Sequence, residues 1–151
     1  MPTFQTTRRV RHTADDMFDL VADVESYPEF VPLCQRIRVR GRRELEDGRS
    51  VLISDMTVAY KLFSETFATR VTLDKAEGLI LVEYLEGPFE HLENRWNFKD
   101  VGEKACDVGF YIDYAFRSRA LGSLMGTMFD KAFRKFAVAF EQRADEIYGT
   151  D

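Results

Sequence analysis

The sequence predicts an α+β fold in which an antiparallel sheet carries its helices on one side, and three observations predict it. The segment from about Arg119 to Tyr148 repeats apolar residues at helical spacing. A succession of strand-like stretches precedes it, punctuated by Asp47-Gly48, Glu77-Gly78, Gly87-Pro88 and Gly102. The remaining helical pattern lies between the first strand and the second, outside the hairpin succession. Strands in sequence with segregated helices describe an α+β domain. About six or seven strands are expected, curving around the long C-terminal helix, with one or two short helices between strands 1 and 2. No repeat or linker breaks the chain, so residues 1–151 are read as one domain.

Taken in order, Phe4–Val10 is rich in Thr and Val and reads as a strand. Thr13 is placed as an N-cap, with Asp15 and Asp16 in a first turn where the helix dipole favours negative charge. Met17, Leu20, Val21 and Val24 follow at helical spacing. Pro28 and Pro32 end that helix and leave room for a short helix or turn around Glu25 to Phe30. "QRIRVRGRR" alternates, placing Ile37 and Val39 on one face and Arg36, Arg38, Arg40 and Arg42 on the other. Asp47-Gly48 is a hairpin turn. Val51–Val58 and Leu62–Leu73 continue the sheet, the second with Phe63, Phe67 and Val71 on a common face. Leu92, Trp96 and Phe98 align in the next strands, as do Val108, Phe110, Ile112 and Tyr114. The final helix carries Met125, Met128, Phe129, Phe133, Phe136 and Phe140 on its apolar stripe and would span about 40 Å. A curved sheet against a straight helix seldom closes fully, so an apolar tunnel between them is expected.

Composition narrows the function classes. Hydrophobic residues make up 45% and charged residues 31%, ordinary for a globular protein, while 13 Phe against 1 Trp and 6 Tyr is unusual. The net charge of -5 argues against a general affinity for nucleic acid. Cys34 and Cys106 form neither a CxxC pair nor a metal spacing, and His12 and His91 match no zinc motif, so no metal or cofactor is expected to be required. No apolar run reaches the roughly 20 residues of a membrane span, and no signal peptide is apparent. The expected location is the cytoplasm, with peripheral contact at the inner membrane as its nearest variant.

Catalytic signatures are missing: no nucleophile elbow, P-loop or dinucleotide fingerprint occurs. Asp55, Glu65, Glu83, Glu93, Asp107 and Asp113 fall in strands and are expected to face solvent. Gly122 and Gly126 are read as a close approach of the last helix to a strand or ligand. The arginine stripe Arg36, Arg38, Arg40, Arg42 has two readings, a solvated edge face or a polyanion patch for anionic lipid or ribosomal RNA.

Three stretches occur together in order: "DVESYPEFVPLC" after the first helix, "GPFEHLENRWNF" in the late strands, and the Phe-rich C-terminal helix. Together they closely resemble the coenzyme Q-binding protein family and its bacterial relatives, which include the ribosome association toxin RatA, within the START-like, polyketide cyclase superfamily. The resemblance runs from about Thr3 to Tyr148, with matches at Tyr27, Phe30, Pro32 and Cys34 and again at Gly87, Pro88, Phe89, Leu92, Trp96 and Phe98. It implies a helix-grip fold with a hydrophobic tunnel, and a bacterial protein without the mitochondrial leader. It also implies a lipid ligand, ubiquinone or a similar isoprenoid quinone, carried or chaperoned in support of respiration.

The expected tunnel and rim residues are Phe30, Pro32, Leu33, Phe63, Phe67, Trp96, Phe110, Met125, Phe129 and Phe133. Each buried methylene contributes about 0.8 kcal/mol, so several isoprene units would bind without a catalytic group. Partners expected on this reading are the lipid itself, a membrane surface, and respiratory or quinone-synthesis proteins. The alternatives are a toxin-like contact with a ribosomal subunit and, last, a polyketide cyclase or aromatase activity.

Overall fold

A computed structural model describes residues 3–149. Its strands are β1 (Thr3–Val10), β2 (Cys34–Glu44), β3 (Ser50–Tyr60), β4 (Phe63–Asp74), β5 (Leu79–Glu86), β6 (Phe89–Asp100) and β7 (Cys106–Phe116). Helix α1 (Ala14–Ala22) and a 3-10 turn of helix (Val24–Glu29) lie between β1 and β2, and α2 (Arg119–Tyr148) ends the chain. All seven strands pair antiparallel in the order β1-β7-β6-β5-β4-β3-β2, so β1 and β2 are the edges. The curved sheet wraps α2, giving the α+β, helix-grip arrangement.

Local chemistry accounts for the element ends. Thr13 Oγ1 accepts from the Asp16 amide at 3.1 Å, and Asp15 and Asp16 occupy the first turn of α1. Ser118 Oγ caps α2 by accepting from the Leu121 amide at 3.2 Å. Pro28 sits inside the 3-10 turn, and the chain reverses into β2 through Leu33, whose φ of 68° lies in the left-handed region.

Pairing register defines which side chains share a face, because residues directly opposite point the same way. One inner row crosses the whole sheet as Arg42, Leu52, Val71, Val82, Asn94, Ile112 and Phe4. A neighbouring outer row runs Ile53, Arg70, Glu83, Glu93, Asp113 and Thr3, which puts those carboxylates outside. On the inner side the rings of Phe89, Phe129, Tyr114, Phe133, Phe110, Trp96 and Phe140 meet mostly edge to face, so the phenylalanine excess is the packing material between sheet and α2.

Two expectations change here. The four-arginine stripe is broken by a β-bulge at Arg40, since Val39 pairs with Ser54 but Gly41 already pairs with Ile53. The extra residue turns Arg42 to the inner row, where its Nη2 meets Glu25 Oε1 at 2.7 Å. Arg40 stays outside against Asp55 at 3.2 Å, and Arg36 and Arg38 remain exposed on the outer face. Second, the glycines of α2 are not points of close approach to a strand. A Cβ on Gly126 would meet nothing within 4 Å, and one on Gly122 would only reach Phe116 Cδ2 at 3.9 Å.

Candidate functional site, an apolar cavity under the long helix

The inner sheet face, α2 and the loop after the 3-10 turn enclose a cavity of about 70 Å³. Its sheet wall is built from the inner rows of β2 to β7, including Met56, Phe67, Val71, Ile80, Leu92 and Trp96. Phe129, Ala132, Phe133, Phe136 and Phe140 of α2 form the roof. Val24, Tyr27, Pro32 and Leu33 close one end. The roof follows from three- and four-residue spacing on one helix, the wall from alternation on six strands, Ile37 of β2 included.

Of the sequence-predicted tunnel residues, Pro32, Leu33, Phe67, Trp96, Phe129 and Phe133 line this cavity. Phe30, Phe63, Phe110 and Met125 do not. Phe63 is 40% exposed, because the β3–β4 hairpin runs on beyond the first β5 pairing at Ala68 and leaves the cavity behind. Phe110 is buried behind Trp96, with ring centroids 4.8 Å apart, and so supports the wall from the β1 side. Met125 is buried under α2 without reaching the cavity. Phe30 packs edge-on against Phe140 at 5.0 Å and lies beneath the Arg143 guanidinium at 5.1 Å, so it fastens the closing loop instead of lining the space.

The polar members of the lining escaped the sequence reading. Ser54 and Thr69 are each 4% exposed, and their hydroxyls are 3.4 Å apart, a long contact in which one hydroxyl donates to the other and the second keeps its donor free. They are inward, in one row with Val39 and Tyr84. Asn94 is already committed: its amide donates to the Tyr111 carbonyl at 2.9 Å and its oxygen accepts from Trp96 Nε1 at 2.9 Å. The Tyr27 hydroxyl donates to the Val21 carbonyl, and burial pushes its phenol far above the usual range. Burial also pushes the neighbouring Cys34 thiol up to about 11, which makes it a neutral apolar group at physiological pH.

The cavity lining holds no carboxylate and no histidine. His12 instead contacts Asp145 at 2.7 Å, and His91 contacts Asp113 at 3.1 Å on the sheet. Among the described residues no group of three or more His, Cys, Asp or Glu is placed to hold a metal. None of their helices is long and apolar enough to cross a membrane. The arrangement is an apolar space with one hydroxyl pair, Ser54 and Thr69, on its wall. Its present size equals a few water molecules, whereas ligand pockets run from about 300 Å³ upward. A cargo must widen it.

Comparison with known proteins agrees with this architecture. The family described as "Polyketide cyclase / dehydrase and lipid transport" matches residues 10–141. The ribosome association toxin RatA of Pseudomonas aeruginosa is 35% identical over 146 residues, covering 96% of each chain. A mitochondrial coenzyme Q-binding protein homolog of Xenopus laevis is 28% identical over 138 residues, which is 89% of this chain and 54% of that one. The solution structure of an 18 kDa protein from Caulobacter crescentus superposes with a TM-score of 0.78 at 36% identity, covering 99% of both chains.

Proposed function

The chain belongs to the polyketide cyclase / dehydrase and lipid transport family, and from that premise we propose that it binds an isoprenoid quinone, with ubiquinone the leading candidate, and holds it for delivery. The observation that carries this reading is a closed apolar lining with one loosely bonded polar pair, Ser54 and Thr69. A quinone matches it in chemistry. Its ring carbonyls accept hydrogen bonds and donate none, which suits a hydroxyl pair that keeps one donor free. Its polyprenyl tail gains about 0.8 kcal/mol per buried carbon, so two isoprene units supply about 8 kcal/mol before the cost of association. The likeness to a protein named for coenzyme Q binding supports the same ligand class.

The decisive experiment is mass spectrometry of organic extracts from protein purified gently out of a quinone-producing host. An isoprenoid quinone near one per chain, lost in Phe129→Ala and reduced in the double variant Ser54→Ala/Thr69→Val, is the expected result. Retention that is indifferent to both changes overturns the cavity as the binding site.

A second reading rests on a different observation. The 35%-identical relative is named as a ribosome association toxin, and Arg36 and Arg38 present two exposed cations on the outer face of an edge strand. On this reading the outer face of β2 docks on a ribosomal subunit. Cosedimentation with subunits would then fall steeply with salt and be lost in Arg36→Glu/Arg38→Glu, while lipid content stays unchanged.

A further inference from the structure

The β3–β4 hairpin ends in an apolar knob. β3 and β4 pair out to Tyr60 and Phe63, whereas β5 first joins at Ala68 and β2 last joins at Val58. The tip therefore projects past its neighbours on both sides. It carries Leu62 at 98% exposure between Tyr60 at 43% and Phe63 at 40%. Lys61 folds its ammonium 5.2 Å over the Tyr60 ring.

The turn residues themselves argue for a purpose. Lys61 takes a φ of 54°, a conformation that glycine or asparagine adopts far more readily in a two-residue hairpin. A leucine fully in water follows it. Residue types that fit the turn poorly but present one apolar and one cationic side chain point to what the tip meets. Position adds to this. The Ala59 amide donates to the carbonyl of Leu33 at 3.0 Å, and Leu33 closes one end of the cavity. The knob thus stands beside the closed end of the cavity.

We propose that the Tyr60–Phe63 tip inserts into a lipid bilayer and docks this end of the molecule on the membrane surface. A convex knob with three outward apolar side chains suits a yielding phase, where each finds hydrocarbon without a preformed pocket. The aromatic ring of Tyr60 and the Lys61 ammonium suit the headgroup zone. Charge orients the approach. The segments at this end, 60–66, 85–90 and 117–124, hold Lys61, Arg117 and Arg119 against Glu65, Glu86 and Glu90 and are neutral together, while the whole chain carries -5. An anionic surface therefore repels the tip less than it repels the chain as a whole. The inference goes beyond cargo binding and stands on the hairpin alone.

The test is cosedimentation of the full chain, stripped of lipid by organic extraction or refolding, with phosphatidylcholine–phosphatidylglycerol vesicles. Leu62→Glu should weaken partitioning by roughly tenfold or more, the loss expected from withdrawing one leucine from hydrocarbon. Leu79→Glu, at a leucine 46% exposed at the opposite sheet end, should bind as the unmodified chain does. Because Leu62 touches solvent almost entirely, its replacement should leave the melting temperature unchanged. Absence of vesicle binding, or equal loss in both variants, overturns docking. So does a Leu62→Glu effect that appears in self-association or ribosomal-subunit binding and not with vesicles. Cargo and docking fail separately: quinone in extracts of Leu62→Glu alongside lost vesicle binding leaves the cavity reading intact, and the converse leaves the tip intact.

Discussion

Cys34 opens β2 directly after the loop that closes the cavity, and Cys106 opens β7 at the far end of the same sheet. Burial raises both thiols from an ordinary 9.0 to about 11. The sign of the consequence is fixed by proton counts. Between the two values the unfolded chain has lost the proton that the folded chain retains, so stability falls as pH rises. The contribution is complete below pH 9 and is lost on the way to about 11, roughly 2–3 kcal/mol per thiol at one pKa unit per 1.36 kcal/mol. Urea midpoints measured from about pH 8 to pH 10.5 should therefore drop, and Cys34→Ala/Cys106→Ala should flatten that slope even though its midpoint starts lower. An unchanged slope would assign the alkaline loss to other groups, with the buried Tyr27 phenol first among them. The same neutrality predicts that neither thiol is alkylated by iodoacetamide at neutral pH until the fold opens.

At the scale of elements, two glycines should respond in opposite directions. Gly126 lies inside α2 with open space where a Cβ would stand, so Gly126→Ala should raise stability by about 0.5–1 kcal/mol, or a few degrees of melting temperature. Gly109 in β7 faces Asn97, whose Nδ2 would lie 2.4 Å from an added Cβ, so Gly109→Ala should lower it. A melting temperature that falls on Gly126→Ala would show that the helix needs its glycine for something other than packing. These elements also show where the sequence was legible. The bounds of α2 follow from a 3.6-residue period sustained over eight turns, which few alternatives imitate. The bulge in β2 was not legible, because one extra residue leaves the pairs Arg36–Ile37 and Arg38–Val39 unaltered and marks itself only by Gly41. In the site, Phe67, Trp96, Phe129 and Phe133 were readable as large apolar residues in period. Phe63 shares their period, but no period says how far a neighbouring strand extends. Ser54 and Thr69 share the alternation of Leu52 and Met56 and of Phe67 and Val71, so the sequence placed them inward and only their polarity hid them.

For the whole molecule, the proposed function poses the question of which boundary would yield if a cavity of about 70 Å³ admitted a cargo several times larger. The sheet wall is held by continuous backbone ladders from β1 to β2, and opening it would leave many polar groups unpaired. The closing loop is held differently. Its backbone makes two local bonds, Val31 N to Tyr27 O at 2.8 Å and Cys34 N to Val31 O at 3.2 Å, and one to the sheet, Ala59 N to Leu33 O at 3.0 Å, while its grip on α2 comes from side chains. Tyr27 and Phe30 pack edge-on against Phe140 at 5.2 and 5.0 Å, and Arg143 spans the joint by reaching Glu29 Oε1 at 2.7 Å. Glu29 is 61% exposed, so the ion pair itself contributes under about 1 kcal/mol, while the buried Arg143 Nε finds no partner to offset its desolvation. A joint of that kind can release at little cost in global stability. Arg143→Ala should therefore speed amide exchange at Val31 and Cys34 and accelerate uptake of an apolar dye, with the β5–β6 amides near Trp96 exchanging as before and stability shifted by no more than about 1 kcal/mol. Exchange that rises uniformly across the sheet would mean the substitution loosens the fold as a whole. Exchange that rises nowhere would place the yielding boundary at the N-terminal turns of α2, where Leu124 is 58% exposed and Gly126 leaves room to move.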